Sequence, residues 1–105
     1  MFRAKDRTFE NLPTRGLVLG VSPEATYTDY AVDLSPGDAI ILFSDGVTEC
    51  RVDGDFLGRE NLRRVLLPCM DLPAQKAVEA VYQEIYRMAG YELNDDQTLM
   101  IIRRK

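Results

Sequence analysis

The chain has 105 residues, of which 46% are hydrophobic and 29% charged, and its formal net charge is −4. This length allows one domain with a core of its own, and the composition is typical of a soluble globular protein. The negative charge argues against nucleic-acid binding, and because there is neither an apolar run of membrane-spanning length nor a signal-peptide pattern, we expect a cytoplasmic protein without membrane attachment.

The residue types that are missing restrict the chemistry. The sequence has no histidine, which removes Ser-His and Cys-His nucleophile pairs, the usual general base near neutral pH, and most zinc sites. Cys50 and Cys69 do not form a spaced set of metal ligands, and we expect two free thiols rather than a disulfide. Carboxylates and hard metal ions are therefore the expected chemical tools.

The first third of the chain contains one clear strand pattern. Residues 1–15 show no sustained period and are interpreted as a partly ordered lead-in, with an extended edge strand or a linker as alternatives. Residues 16–21 are an apolar run between glycines and predict a short strand or loop packed against the core. In residues 27–34 apolar and polar side chains alternate, which predicts a strand with one exposed side.

A Pro-Gly turn at residues 35–38 leads into the most informative stretch. The apolar run that follows, Ala39–Phe43, predicts a buried strand that forms an antiparallel hairpin with the preceding one. This strand delivers Asp45 at its end, where we expect Gly46 to let the backbone turn sharply. Asp38, within the turn, is interpreted as structural, since its side chain can stabilise the turn.

Two helices are predicted in the second half. Their apolar residues recur at helical spacing over residues 59–67 and 71–89, with Pro68 and Gly90 as the respective stop signals. Before them, residues 47–58 predict a surface loop with a turn at its tip. That turn has two aspartates but lacks the spaced oxygen ligands of a calcium loop.

The last predicted strand covers residues 98–103 and is apolar on both faces, as in a central or well-covered strand. The order of elements predicts an α+β fold of antiparallel strands with two helices on one sheet face. Asp95 and Asp96 directly precede the last strand, whereas Asp45 directly follows an earlier one. Two strands with acids at their ends predict a carboxylate site between them.

Four motifs occur in an order that resembles a known family. They are Pro36-Gly37-Asp38, Leu42-Phe43-Ser44-Asp45-Gly46-Val47-Thr48-Glu49, Phe56-Leu57-Gly58, and Asn94-Asp95-Asp96-Gln97-Thr98-Leu99. Together they resemble the C-terminal half of the metal-dependent, PPM-type serine/threonine protein phosphatases, in the bacterial branch typified by the stage II sporulation and stress-response phosphatases. The resemblance covers residues 16–103 and implies part of an α-β-β-α sandwich with two metal ions between its sheets.

The resemblance also implies which residues hold metal. Asp45 matches the aspartate of the family's second Asp-Gly motif, and Asp95 matches the first acid of its terminal motif; both are metal ligands in the family. Gly46 and Asp96 are their neighbours at the site, and Asp96 has the weaker claim to coordination. Aspartate oxygens suit Mn²⁺ or Mg²⁺, and a metal pair can activate a water for phosphoryl hydrolysis, so no catalytic protein nucleophile is assigned.

The family's N-terminal half, with its own aspartates, has no counterpart in these residues. The resemblance therefore implies that residues 1–105 are a single partial domain of a longer phosphatase, with residues 1–15 as a lead-in. We expect the isolated piece to be inactive, and its uncovered apolar faces predict dimerisation or strand exchange. The expected substrate is a phosphorylated protein of the anti-sigma-factor-antagonist type, in bacterial sigma-factor or stress signalling.

Two other hypotheses stay open at this point. The chain could be a non-catalytic, phosphatase-like module that binds a partner, which the sequence upstream of Met1 in the parent gene would test. It could also be an unrelated α+β domain in which the acids occur by chance. A structure that brings Asp45 and Asp95 together would exclude this second alternative.

Overall fold

The computed structural model describes residues 1–12, 16, 18–92 and 95–105. It is an α+β structure, as predicted. Its strands and helices are β1 (Phe2–Arg3), β2 (Thr8–Phe9), β3 (Ala39–Phe43), α1 (Asp45–Thr48), β4 (Arg51–Val52), β5 (Asp55–Phe56), α2 (Gly58–Leu66), a 3₁₀ turn (Leu67–Cys69), α3 (Ala74–Met88) and β6 (Leu99–Arg103).

The main sheet is antiparallel and has the strand order β2-β1-β3-β6. β3 pairs with β6 along its whole length, from Ala39 opposite Arg103 to Phe43 opposite Leu99. On its other side β3 meets β1, where Phe2 lies opposite Ala39. The predicted strand at residues 39–43 is thus confirmed as β3, although only Ala39 in it is buried and Leu42 is exposed. The predicted last strand is confirmed as β6.

The predicted hairpin between residues 27–34 and β3 is wrong. Residues 27–34 have no strand pairing, because β1 and β6 occupy the two sides of β3. The segment is instead held at its end by arginines: Arg3 Nη1 donates to the Asp33 carbonyl at 2.7 Å, and Arg104 Nη1 donates to the Leu34 carbonyl. The prediction of one exposed side is also wrong, because Tyr30 and Val32, on the side expected to be buried, are exposed.

The N-terminal residues are more ordered than a lead-in. Residues 2–9 form a hairpin of β1 and β2 in which Phe2 lies opposite Phe9, and their ring centroids are 5.2 Å apart. Phe2 is buried in the core. The edge-strand alternative is therefore confirmed for these residues, while residues 13–15 lie outside the described chain.

The apolar run at residues 16–21 does not pack against the core as predicted. Val18, Leu19 and Val21 are all exposed, at 75%, 80% and 66% of their surface, and the backbone forms a turn at residues 19–20. Leu17 lies outside the described residues. Apolar content alone did not indicate whether this segment has a partner within the described chain.

The helices pack on one face of the main sheet, as predicted. The expected buried stripe of α3 is confirmed at its centre by Ala77, Val81 and Ile85, which are fully buried. α3 ends just before Gly90, whose φ of +70° suits a helix stop. The core that these helices share with the sheet includes Phe2, Ala39, Val47, Leu57, Leu62, Val65, Leu66, Leu99 and Ile101.

The opposite face of the sheet is apolar and exposed. β6 is an edge strand of the described sheet, so its interpretation as a central strand is wrong. Leu42 lies opposite Met100 and Ile40 opposite Ile102, and Leu42, Met100 and Ile102 are each about half exposed (50%, 51% and 46%). These four side chains are called the outer sheet face below. The expectation of an uncovered apolar sheet face is confirmed.

Within the described part of the chain, every helix is too short or too polar to cross a membrane.

The buried carboxylate of Asp38 holds the turn before β3, as predicted. It accepts hydrogen bonds from the backbone amides of Ala4 and Ser35, at 2.8 and 2.9 Å, and from Arg3 Nη1 at 3.0 Å. These amide bonds, with a smaller contribution from the Arg3 guanidinium, hold the pKa of Asp38 below its ordinary value. Gly37, with a φ of +90°, completes the turn.

We expect Asp38→Asn to lower the midpoint of thermal unfolding by about 5 °C or more at pH 7, because a buried charged acceptor is lost. Since the folded pKa is depressed, the carboxylate stabilises the fold above about pH 4 and this stabilisation disappears as the pH falls through the folded pKa. The difference between wild type and variant, followed by circular dichroism, should therefore shrink on acidification. Asp6→Asn, at an exposed carboxylate, is the control, and a difference independent of pH would contradict this account.

Candidate functional site

The two acidic motifs are joined where β3 and β6 end. The Ser44 amide donates to the Thr98 carbonyl at 3.0 Å, and the Thr98 amide donates to Ser44 Oγ at 3.0 Å. These bonds continue the β3–β6 ladder one residue beyond the Phe43–Leu99 pair. Ser44, which precedes Asp45, is therefore hydrogen-bonded to Thr98, which lies two residues after Asp96.

Gly46 allows the two motifs to touch. It is buried within α1, and a Cβ atom at this position would lie 2.0 Å from the carbonyl oxygen of Asp96. The sharp turn expected at Gly46 is not observed, because this glycine lies in a helical turn and is not among those with positive φ. Glycine is required here for close approach rather than for a special backbone angle.

Gln97 forms a second link across the same junction. The side-chain Nε2 of Gln97 donates to the Gly46 carbonyl at 3.2 Å. The backbone carbonyl of Gln97 accepts a hydrogen bond from the Tyr82 hydroxyl at 3.0 Å. Tyr82 lies on α3, so the helix layer positions the acidic motifs. Among the described residues, the buried Oε1 of Gln97 has no hydrogen-bond donor.

The carboxylates themselves face solvent. Asp45, Asp95 and Asp96 are all exposed, although the backbones beside them are tightly held. The amide of Asp96 donates to Asp95 Oδ1 at 2.8 Å, and the amide of Glu49 donates to the Asp45 carbonyl at 2.8 Å. Asn94, the first residue of the second motif, lies outside the described residues.

A cleft of about 110 Å³ opens beside this junction. It lies between α1, the β4–β5 hairpin and the segment that precedes β6, and is called the acidic cleft below. Asp95 and Gly46 line it, whereas Asp45 is not among its lining residues. The full lining is Gly46, Glu49, Cys50, Arg51, Phe56, Glu92, Asp95 and Gln97.

Several of these lining residues were not predicted to belong to the site. Gln97 follows Asp96 within the fourth motif, and Arg51 lies two residues after the second motif; these positions were signals that could have identified both residues. Phe56 enters because the β4–β5 turn at Asp53 and Gly54, both with positive φ, folds it back beside Arg51. The sequence predicted this turn, but it did not indicate that Phe56 would lie beside Arg51.

The metal expected from the resemblance was tested against the geometry. Asp45 and Asp95 supply the oxygen ligands that Mn²⁺ and Mg²⁺ prefer, and the Gly46–Asp96 contact brings their backbones together. Within residues 1–12, 16, 18–92 and 95–105, however, no three acidic or cysteine side chains are grouped to hold a metal ion. The two aspartates fit as part of a ligand set that needs further oxygen donors.

Comparisons with known proteins identify the family of this chain. Residues 1–105 match the family described as stage II sporulation protein E (SpoIIE). The chain belongs to this family. It is also similar to phosphoserine phosphatase RsbU of Bacillus subtilis (strain 168), with 41% identity over 104 residues. That match covers 99% of this chain and 31% of RsbU, so the chain spans about a third of this relative's length. No solved structure matches the chain.

The resemblance drawn from the four motifs is thereby confirmed at the level of the family and of the SpoIIE/RsbU-like branch of PPM-type phosphatases. The hypothesis of an unrelated α+β domain with chance acids is excluded. That Asp45 and Asp95 coordinate metal is a proposal.

We expect Gly46→Ala to destabilise the chain by about 3 kcal/mol, because the new methyl group would meet the Asp96 carbonyl, a backbone atom that cannot move without breaking the Ser44–Thr98 bonds. Gly54→Ala is the control: its site is open but has a φ of +85°, so it should cost only about 1 kcal/mol. Urea unfolding measures both. Equal losses in the two variants would contradict the proposed close contact.

Proposed function

We propose that residues 1–105 are the C-terminal part of a phosphatase domain that hydrolyses phosphoserine or phosphothreonine on a protein. The observation that carries the proposal is the contact between Gly46 and Asp96, which places the Asp-Gly and Asp-Asp motifs side by side. The similarity to a protein named phosphoserine phosphatase supports the choice of substrate.

In this proposal Asp45 and Asp95 contribute carboxylate ligands to Mn²⁺ or Mg²⁺, with Gly46 and Asp96 as neighbours. The bound metal would supply an activated water and neutralise charge on the phosphoryl group. The chain's own contribution is positional: the Ser44–Thr98 bonds and the Gln97 side chain fix the backbone on which both aspartates stand. The remaining ligands come from outside the described residues.

We further propose that the substrate is a phosphorylated protein of the anti-sigma-factor-antagonist type, in bacterial sigma-factor or stress signalling. The branch of the family to which the four motifs point supports this choice. A cytoplasmic location belongs to the same proposal, and the free thiols of Cys50 and Cys69 are in keeping with a reducing compartment.

The proposal is tested on the protein at its full natural length with a phosphoserine peptide and Mn²⁺. We expect Asp45→Asn and Asp95→Asn each to lower kcat/KM at least about 100-fold, because each removes a charged metal ligand. Asp55→Asn, at an exposed carboxylate of β5, should have no effect. Phosphate release is the measurement.

The rival hypothesis, a non-catalytic module that binds a partner, predicts a different result. The wild-type protein would bind a phosphoprotein without releasing phosphate, with or without Mn²⁺. Substitution of Asp45 or Asp95 would then leave binding unchanged.

We also propose that the isolated 105 residues associate through the outer sheet face, whose apolar side chains are half exposed. Light scattering should show a mass that rises with concentration. Met100→Lys should reduce this association, because it places a charge at the centre of the face, whereas Gln83→Lys on α3 should not. A constant monomer mass over a wide concentration range would count against the proposal.

A further inference from the structure

Among the residues that line the acidic cleft, Arg51 carries the only positive charge. The carboxylates of Glu49, Glu92 and Asp95 line the same cleft. A phosphorylated side chain approaching these carboxylates would be repelled unless positive charge offset them. Arg51 is therefore placed where the proposed substrate needs a cation.

The β4–β5 hairpin holds the guanidinium of Arg51 in position. Arg51 lies directly opposite Phe56, and its guanidinium carbon is 4.8 Å from the centroid of the Phe56 ring. Its Nη1 also donates to the Gly54 carbonyl at 3.0 Å. The guanidinium is thus stacked and hydrogen-bonded before any ligand arrives, which lowers the entropy lost on binding.

Most of the donors on this guanidinium have no partner within the described chain. An arginine has five N–H donors, of which Arg51 uses one on Gly54. Although acidic side chains share the cleft, none of the ion pairs found among the described residues includes Arg51. A planar fork with free N–H groups matches two oxygens of a phosphoryl group.

Gln97 provides a second observation at the same cleft. Its Oε1 is buried and has no donor among the described residues, whereas its Nε2 is engaged by the Gly46 carbonyl. A buried acceptor without a partner is costly unless water or a ligand supplies a donor. This buried acceptor lies on a residue that also lines the cleft beside Arg51.

We propose that Arg51 binds the phosphoryl oxygens of the substrate in the acidic cleft and determines the affinity for phosphate-bearing side chains. The proposal rests on the phosphatase function proposed above. It assigns Arg51 to substrate binding rather than to the hydrolytic step, so its removal should affect KM more than kcat.

The experiment uses the protein at its full natural length, with p-nitrophenyl phosphate as substrate, Mn²⁺ present, and inorganic phosphate as competitive inhibitor. We expect Arg51→Gln to raise KM and the inhibition constant of phosphate together by about tenfold, with kcat changed less than about twofold. Arg51→Lys, which keeps the charge but loses the fork, should fall between wild type and Arg51→Gln. Arg64→Gln removes the same charge from an exposed position on α2 and should match wild type.

Each other outcome has a separate meaning. If wild type is active and Arg51→Gln keeps its KM and phosphate inhibition constant, Arg51 does not bind phosphate and the inference fails while the proposed function stands. A fall in kcat together with the thermal midpoint, at an unchanged phosphate inhibition constant, would assign Arg51 a merely structural role and also overturn the inference. A wild-type protein without Mn²⁺-dependent hydrolysis would overturn both.

Discussion

The close contact between Gly46 and the Asp96 carbonyl is the constraint on which the site depends. No side chain larger than hydrogen fits at this position, so the backbones of the two acidic motifs are in contact there. Because the flanking residues are bonded as well, through Ser44 to Thr98 and through Gln97 to Gly46, the junction is rigid although the carboxylates beside it are exposed. An exposed acid on a rigid backbone is suited to binding a ligand from solvent.

Local physics made some elements predictable from the sequence. β3 follows from a Pro-Gly turn and an unbroken apolar run, and α3 follows from helical spacing that ends at Gly90. The partners of β3 could not be predicted, because β6 and Phe2 come from distant parts of the chain and pair with it only in the folded structure. Alternation in residues 27–34 contains no information about pairing, and without a partner strand both sides of the segment are exposed.

The same division applies to the site. Asp45 and Asp95 were predicted as metal ligands because motif order relates them to a family, and the residues next to them, Gly46 and Asp96, are in contact in the structure. Glu92 could be assigned to the cleft only from the coordinates. Arg51 lies close to the first acidic motif in the sequence, but only the coordinates show that the β4–β5 hairpin places it in the same cleft. Gly46 was predicted from the sequence as part of the site. The reason that glycine is needed there is the close approach of the Asp96 carbonyl, which belongs to a residue fifty positions later in the chain.

The turn at Asp38 has a consequence for how the protein folds. Its carboxylate binds the Ala4 amide, and its carbonyl accepts a hydrogen bond from the Arg104 amide, so residues from near both ends of the described chain converge on one point. Contacts of such long sequence separation slow folding, since a large loop must close before they form. During synthesis the sheet can close only after its last strand has left the ribosome, and until then β3 presents unpaired backbone groups that other chains can bind.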